Sequence, residues 1–248
     1  MIIPFENLED CISTVPKIFL HKLAPQAVEF MEKEIVLASE RYIGRAVYPK
    51  EVEGVDIGAY LLLTFDGESM ERLEEITEQA AEIALEAGAV DVLVADTPTK
   101  KKDAWAARSS FLEAIEAETE LLDECDVVVP VNKIAEYLKY VYKVRENYDF
   151  TVKSFGHAGD GNLHIYTCSN DMELEEFNKQ VKGFFDDIYQ KAAEFGGLLS
   201  GEHGIGYGKR DYLASFSGDV VMRLMKGVKE TFDPKMILNP GKVCYKVD

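Results

Sequence analysis

Cysteine is scarce in this chain, and its four cysteines stand far apart, at positions 11, 125, 168 and 244. The sequence has no Cys-x-x-Cys pair and no regular cysteine spacing, which argues against an iron–sulfur cluster or a disulfide framework. We therefore interpret the four cysteines as free, buried or semi-buried thiols of a protein from a reducing compartment.

Basic charge and long apolar runs are lacking as well. Lys and Arg number 27 against 45 Asp and Glu, a net charge of −18, which argues against nucleic acid or anionic lipid as a partner. The longest apolar run, residues 59–65, is too short to span a bilayer, and the amino terminus does not resemble a signal peptide. We expect a cytoplasmic protein without a membrane span, in which an anionic substrate would need a local cationic pocket.

The remaining composition is that of an ordinary globular protein, with 47% hydrophobic and 29% charged residues in 248. One domain over residues 1–248 is expected. In the first half, hydrophobic periodicity predicts strands and helices in the order strand 1–5, helix 7–21, strand or turn 26–31, strand 58–65, helix 69–88 and strand 89–95. Two strand-helix-strand units in succession favour an α+β fold of ferredoxin-like split βαβ units, with helices on one face of a mostly antiparallel sheet.

The second half continues with elements of both kinds. The pattern predicts an acidic helix over 98–122, a strand at 127–130, a helix from 132 to 145, a hairpin over 150–166, a helix over 171–196, a strand at 198–200 and a helical carboxy-terminal segment from about 218 to 231. The turn of the hairpin is expected at 158–162. No internal repeat is evident.

Histidine is also rare, yet three of the four histidines lie between positions 157 and 203. His157 and His164 bracket a glycine-rich turn, and Glu202 follows in Gly-Glu-His-Gly-Ile-Gly at 201–206. Two imidazoles and one carboxylate suit a first-row divalent ion such as Zn, Mn, Fe or Co and leave coordination positions open for substrate. We predict that these three residues bind a metal. The alternative is that they are core histidines beside a tight turn.

Two further residues are candidates for chemistry. His203, next to Glu202, is a candidate general base that we expect to point away from its neighbour, because adjacent strand residues face opposite sides. Arg108 offers a guanidinium for a substrate carboxylate. The alternatives are a structural histidine and an ordinary salt bridge of Arg108 with Glu113, Glu116 or another neighbour.

Four motifs together resemble a known family: Gly-His-Ala-Gly-Asp-Gly-Asn-Leu-His at 156–164, Gly-Glu-His-Gly-Ile-Gly at 201–206, Trp-Ala-Ala-Arg at 105–108 and Leu-Asn-Pro-Gly-Lys at 238–242. They resemble the carboxy-terminal, or cap, half of FAD-linked D-2-hydroxyacid dehydrogenases. That group contains the D-lactate dehydrogenases and the glycolate oxidase large subunit, which are flavoproteins similar to vanillyl-alcohol oxidase. The resemblance covers nearly the whole chain.

The resemblance implies a role for each matched residue. His157, His164 and Glu202 would bind the divalent metal, His203 would be the catalytic base, Arg108 would hold the substrate carboxylate and Asn239 would lie near the flavin. In such enzymes the metal binds the hydroxyl and carboxylate oxygens of a small 2-hydroxyacid, and the resemblance favours D-lactate as the substrate. The base removes the hydroxyl proton while hydride passes from C2 to the flavin.

The resemblance also implies a flavin-binding domain, and nothing in residues 1–100 looks like one. We expect that domain to be absent from this chain, which alone should be inactive. FAD would then be held mainly by another domain or subunit, and an electron-transfer flavoprotein or iron–sulfur subunit is a further expected partner. Glu124 stands where some relatives have a basic residue, which leaves the acid accepted undecided. The alternatives are a non-catalytic metal-binding subunit of an electron-transfer complex and an independent metal hydrolase.

Overall fold

The computed structural model describes residues 1–244, so the last four residues of the predicted domain lie outside it. Within this range, the strands are β1 (Ile2–Phe5), β2 (Ala27–Glu32), β3 (Glu51–Val52), β4 (Val55–Asp56), β5 (Ala59–Thr64), β6 (Leu121–Val128), β7 (Thr151–His157) and β8 (Asn162–Ser169). The α-helices are α1 (Leu8–Leu20), α2 (Lys33–Ile43), α3 (Met70–Glu86), α4 (Pro98–Ser109), α5 (Phe111–Glu118), α6 (Ile134–Arg145), α7 (Leu174–Glu194) and α8 (Arg210–Phe232).

The main sheet has six strands in the order β1-β5-β2-β7-β8-β6, and every neighbouring pair is antiparallel. The predicted α+β class with a mostly antiparallel sheet is confirmed. The strands β1, β5 and β2 come from the first part of the chain, and β7, β8 and β6 come from the second. The pairing of β2 with β7 at the centre joins these two halves of the sheet.

The two halves share one topology. In the first, β1, α1, β2, β5 and α3 are followed by isolated bridges from Ala89 and Leu93 back to β1. In the second, β6, α6, β7, β8 and α7 are followed by an isolated bridge from Leu198 to β6. Each half is therefore a split βαβ unit, as predicted, and the chain contains a structural repeat that the sequence did not reveal.

Helices cover both faces of the sheet, whereas the periodicity predicted one. On one face, side chains of α1, α3, α6 and α7 pack against residues of the sheet such as Phe30 and Leu163. On the other, α2, α4 and α5 pack around Phe155 and Tyr166. The second face is only partly covered by these three helices, and the candidate site lies on that face. The four cysteines are free and buried.

Several predicted boundaries were wrong. The acidic helix expected over 98–122 is two helices, because the chain turns at Ser110, and the strand expected at 127–130 begins earlier, at Leu121. Residues 89–95 and 198–200 form isolated bridges where full strands were expected. A 3-10 turn over Val131–Lys133 precedes α6, which begins at Ile134. The carboxy-terminal helix begins at Arg210 and is kinked at Gly218.

Two elements were missed altogether. Helix α2 ends at Gly44, whose φ of 69° closes it in the left-handed conformation, and the short β3-β4 hairpin follows it. Within residues 1–244, no helix combines the length and the apolar character that crossing a bilayer requires.

Candidate metal and substrate site

The strand register gathers polar side chains from four strands on one face of the sheet. Glu29 of β2 lies opposite His157 of β7, and Asp126 of β6 lies opposite His164 of β8. His164 is also paired with Phe155, two residues before His157. Because directly opposed residues and residues two apart share a face, these four side chains project to the same side.

The turn between the two histidines is close to neighbouring backbone. Gly161 has a φ of 76°, and a Cβ built on it would lie 2.0 Å from the carbonyl oxygen of Val129. Only glycine combines this conformation with this approach. The predicted hairpin is confirmed, with β7 ending at His157 and β8 starting at Asn162.

A buried carboxylate holds the loop that carries Glu202 and His203. Asp126 Oδ2 accepts hydrogen bonds from Ser200 Oγ at 2.7 Å and from the amides of Gly201, Glu202 and His203 at 3.0, 3.1 and 2.9 Å. Burial alone would raise the pKa of Asp126, but these hydrogen bonds outweigh burial and lower it. The side chain of Asp126 is 0% exposed, so the carboxylate is a fixed anchor for the loop.

His157, His164 and Glu202 converge. Glu202 Oε1 lies 3.1 Å from Nε2 of His157 and 3.1 Å from Nε2 of His164. Ligands at about 2.0–2.1 Å around a tetrahedral ion are separated by about 3.3 Å. The donor set and its spacing therefore fit a divalent ion, and the geometric expectation that these three side chains meet is confirmed.

The Nδ1 atoms of His157 and His164, on the side of each ring away from Glu202, both lie near a carboxylate. His157 Nδ1 lies 2.7 Å from Glu29 Oε1, and His164 Nδ1 lies 3.3 Å from Glu124 Oε1. An ionised carboxylate only accepts, so the Nδ1 of His157 that faces Glu29 is the protonated nitrogen, and the Nε2 of that ring, when neutral, presents a lone pair toward Glu202. His164 Nδ1 and Glu124 Oε1 do not form a hydrogen bond with each other. A lone pair on His157 Nε2 that faces Glu202 Oε1 is repelled by the carboxylate unless a proton or a cation lies between them.

The electrostatics around Glu29 connect His157 with Arg108. Burial would raise the pKa of Glu29, but the hydrogen bond from His157 and the charge of Arg108 outweigh burial and lower it. The same hydrogen bond to Glu29 raises the pKa of His157. At Glu124, burial is likewise outweighed by the interactions with the neighbouring imidazoles of His164 and His203, which lower the pKa of Glu124.

Arg108 is held by Glu29 and not by Glu113 or Glu116. Its Nε and one terminal nitrogen donate to Glu29 Oε2 at 2.9 and 2.7 Å, and its guanidinium lies 4.8 Å from the centre of the Phe155 ring. The Arg108 side chain is 11% exposed. Arg108 and His157 therefore bind the same carboxylate, that of Glu29, which places Arg108 at the edge of the candidate metal site.

His203 joins the cluster, which corrects the prediction that it points away from Glu202. Its ring stacks on that of His164 with centroids 4.8 Å apart, and its Nε2 lies 3.9 Å from Glu202 Oε1. The alternation argument failed because residues 201–204 are a loop wrapped around Asp126 and not a strand.

Asn239 lies elsewhere, on the exposed segment after α8. Its side-chain oxygen accepts a hydrogen bond from Lys242 Nζ at 3.1 Å, and its φ is 47°. None of the contacts described within residues 1–244 joins Asn239 to the histidine cluster. Its predicted place near the flavin stays a prediction.

Sequence reasoning missed two carboxylates of the site, Glu29 and Asp126, and did not place a third, Glu124, beside the histidines. The available signal was a charged residue within a strand that is otherwise apolar, as in Ala-Val-Glu-Phe-Met at 27–31. Asp126 was not recognised as a site residue, and Glu124 was not placed beside the histidines, because the strand was predicted to begin only at Val127, which hid the two-residue spacing of these carboxylates on β6.

Comparisons with known proteins identify the family of this chain. The family described as "FAD linked oxidases, C-terminal domain" matches residues 1–243. The chain belongs to this family. A D-lactate dehydrogenase of Anaerostipes hadrus is 70% identical over 247 residues, which are 100% of this chain and 52% of that protein. The glycolate oxidase subunit GlcD of Bacillus subtilis (strain 168) is 34% identical over 98% of this chain and 50% of that protein.

A solved structure, p-cresol methylhydroxylase with substrate bound, has the same fold. It matches with a TM-score of 0.66 at 14% identity, over 100% of this chain and 52% of that chain. The resemblance to the cap half of FAD-linked hydroxyacid dehydrogenases is thus confirmed. The chain spans about half the length of the curated relatives that it matches.

Proposed function

We propose that this chain is the substrate- and metal-binding part of an FAD-dependent dehydrogenase that oxidises a D-2-hydroxyacid, D-lactate in the first instance, to the 2-oxoacid. The observation that carries the proposal is the convergence of Glu202 Oε1 on two imidazole nitrogens at 3.1 Å each, with His203 stacked beside them. The 70% identical relative named D-lactate dehydrogenase supports the choice of substrate.

The open side of the site lets substrate reach these residues. The side chains of Glu202 and His203 are 48% and 39% exposed, whereas that of His164 is 4% exposed. A small hydroxyacid can therefore approach from the side of the loop, while the sheet fixes the imidazoles from below. His157, His164 and Glu202 would hold a divalent ion, which when bound supplies Lewis-acid activation and orientation of the substrate's hydroxyl.

The chain's own residues would then bind the substrate and move its proton. Nε2 of His203 would accept the hydroxyl proton, since Nδ1 of the same ring faces Glu124 at 2.9 Å. The guanidinium of Arg108 would position the substrate carboxylate from the opposite edge while Glu29 fixes its plane. FAD, bound mainly outside this chain, supplies the acceptor for the hydride.

The test is D-lactate-dependent reduction of a redox dye by the FAD-loaded enzyme that contains this chain. We expect activity that is removed by a chelator, restored by one of Zn²⁺, Mn²⁺ or Fe²⁺, and absent with L-lactate. His157→Ala should reduce kcat/KM by more than about 100-fold, since Lewis-acid activation contributes several kcal/mol. The matched control is His21→Ala, an exposed histidine at the end of α1, which should leave the rate unchanged.

His203→Ala separates this function from a non-catalytic subunit. A general base contributes about 10²–10⁴ to the rate, so the variant should bind metal as the wild type does and lose turnover. Full activity of His203→Ala would contradict the proposed role of His203 as the base. The proposed function itself would be overturned if the enzyme, loaded with metal and FAD, did not oxidise D-lactate, glycolate or another 2-hydroxyacid. Hydrolysis of esters without flavin would favour a metal hydrolase.

A further inference from the structure

The guanidinium of Arg108 is held by one oxygen atom and two aromatic rings. Its Nε and one terminal nitrogen both donate to Glu29 Oε2, while the other oxygen of Glu29 faces Nδ1 of His157 at 2.7 Å. Two bonds to a single acceptor atom constrain a guanidinium less than a fork onto both oxygens of a carboxylate does. The rings of Phe155 and Phe111 add to this constraint, since their centres lie 4.8 and 5.4 Å from the central carbon of the guanidinium.

The ring of Phe155 is itself held on several sides. It is 4% exposed and stacks on Tyr166, with ring centroids 5.4 Å apart and an interplanar angle of 13°. Phe111 meets it edge to face at 5.1 Å. Its partner across the β7–β8 pair is His164, whose ring lies 5.3 Å away. Phe155 therefore lies between the cation that would bind the substrate carboxylate and an imidazole that would bind the metal.

We propose that Phe155 is a positioning residue that holds the guanidinium of Arg108, through a cation–π interaction, at the place where the substrate carboxylate binds. The proposal rests on the proposed function, which assigns Arg108 to that carboxylate. The carboxylate and hydroxyl of a 2-hydroxyacid are on adjacent carbons, so they reach Arg108 and the metal together only if these two lie at a set separation. A ring attracts the cation through its π face and accepts none of the hydrogen bonds that the substrate needs.

Ordinary core packing is the competing interpretation, since Phe155 belongs to the cluster of buried side chains on this face of the sheet. A ring that only filled space would support the fold, and its loss would affect D-lactate binding no more than the loss of a buried ring elsewhere. Phe184 of α7 is such a ring, because it is 0% exposed and packs against Tyr148 and Phe150 on the other face of the sheet. Phe184→Leu is therefore the matched control.

The test is a double-mutant cycle on the FAD-loaded enzyme that contains this chain, with kcat and KM for D-lactate as readouts. Phe155→Leu removes the ring, Arg108→Met removes the cation, and the double variant removes both. We expect Phe155→Leu to raise KM about 5–30-fold, the effect of losing a partly desolvated cation–π interaction, and to change kcat less. In the Arg108→Met background the same substitution should change kcat/KM by less than about twofold, because the ring then has no cation to hold. Phe184→Leu should leave KM unchanged.

A ring of the same shape with a weaker π face tests the interaction even if Phe155→Leu does not fold. Trifluorophenylalanine at position 155 retains the ring, but its fluorine atoms withdraw charge from the ring face, so KM should again rise, by about threefold or more. The same residue at position 184 should leave KM unchanged. Competition with a chromophoric chelator should find one Zn²⁺ per chain in all these variants, since none removes a ligand of the proposed metal site.

The proposal would be overturned by a KM for Phe155→Leu that stays at the wild-type value, or by a loss of kcat/KM that is equally large with and without Arg108. A trifluorinated ring at position 155 that leaves KM unchanged would overturn it as well. An enzyme that oxidises no hydroxyacid would remove the proposed function. The cycle would then be measured by urea unfolding of this chain, where coupled losses of Phe155 and Arg108 would support the positioning of Arg108 and additive losses would overturn it.

Discussion

Replacing Asp126 should separate the loop of the metal site from the sheet. In Asp126→Ala, Ser200 Oγ and the amides of residues 201–203 lose their common acceptor. A hydrogen bond to a charged group contributes about 1.5–3 kcal/mol. The sum of four such bonds overstates the loss, because they share one oxygen and because the exposed loop can bind water in the variant.

We therefore expect Asp126→Ala to lower the free energy of unfolding by about 2–4 kcal/mol, within the range of a broken buried network. The metal affinity should fall by about 10–100-fold, since Glu202 loses the contacts that orient it. Asp126→Asn keeps an acceptor oxygen without the charge and should lie between the wild type and Asp126→Ala on both measures.

Urea unfolding and competition for Zn²⁺ with a chromophoric chelator measure the two quantities on the same samples. Asp123→Ala, which removes an exposed carboxylate from the same strand, is the control and should change neither by more than about 0.5 kcal/mol. If folded Asp126→Ala bound Zn²⁺ within twofold of the wild type, the carboxylate would not be what positions the loop.

Two further predictions concern the scaffold. Gly161→Ala should destabilise the protein by about 1–3 kcal/mol more than Gly196→Ala, as urea unfolding would show. Both glycines have a φ near 75°. A Cβ at position 161 would contact the Val129 carbonyl, whereas a Cβ at position 196 would meet no atom within 4 Å. Equal losses of unfolding free energy in the two variants would contradict the steric account. Burial raises the pKa of Glu32 despite hydrogen bonds from neighbouring hydroxyl groups, so the stability that it contributes is present below about pH 4 and falls as the pH rises toward the folded-state pKa. Glu32→Gln should therefore become more stable relative to the wild type as the pH rises from 4 to 8. The control is Glu68→Gln at an exposed position, which should show no such gain. A difference in unfolding free energy between Glu32→Gln and the wild type that does not change with pH would refute the prediction.

The sequence predicted well where one local signal fixed the structure. The side chain of Ser69 caps the start of α3 by accepting a hydrogen bond from the amide of Arg72. At the end of α7, Gly196 has a φ of 75°, a conformation that terminates the helix. The histidine hairpin follows from its glycine-rich turn. Local capping and turn chemistry act over a few residues, so they can be read without knowledge of the fold.

Prediction failed where tertiary packing decided. The predicted acidic helix ended at 122 and the predicted strand began only at 127, yet the whole segment 121–128 is one strand that pairs with β8. The carboxylates that support the histidines were hidden for a related reason. Glu29 and His157 are 128 positions apart and meet only because β2 and β7 join the two halves of the sheet.

The central claim is that His157, His164 and Glu202 bind one divalent ion, and Zn K-edge X-ray absorption of this chain with one equivalent of Zn²⁺ tests it most directly. The spectrum should show two imidazole nitrogens at about 2.0–2.1 Å and carboxylate or water oxygens at about 2.0–2.2 Å, with one imidazole lost in His157→Ala. A spectrum without imidazole scattering, or one that His157→Ala leaves unchanged, would contradict the account.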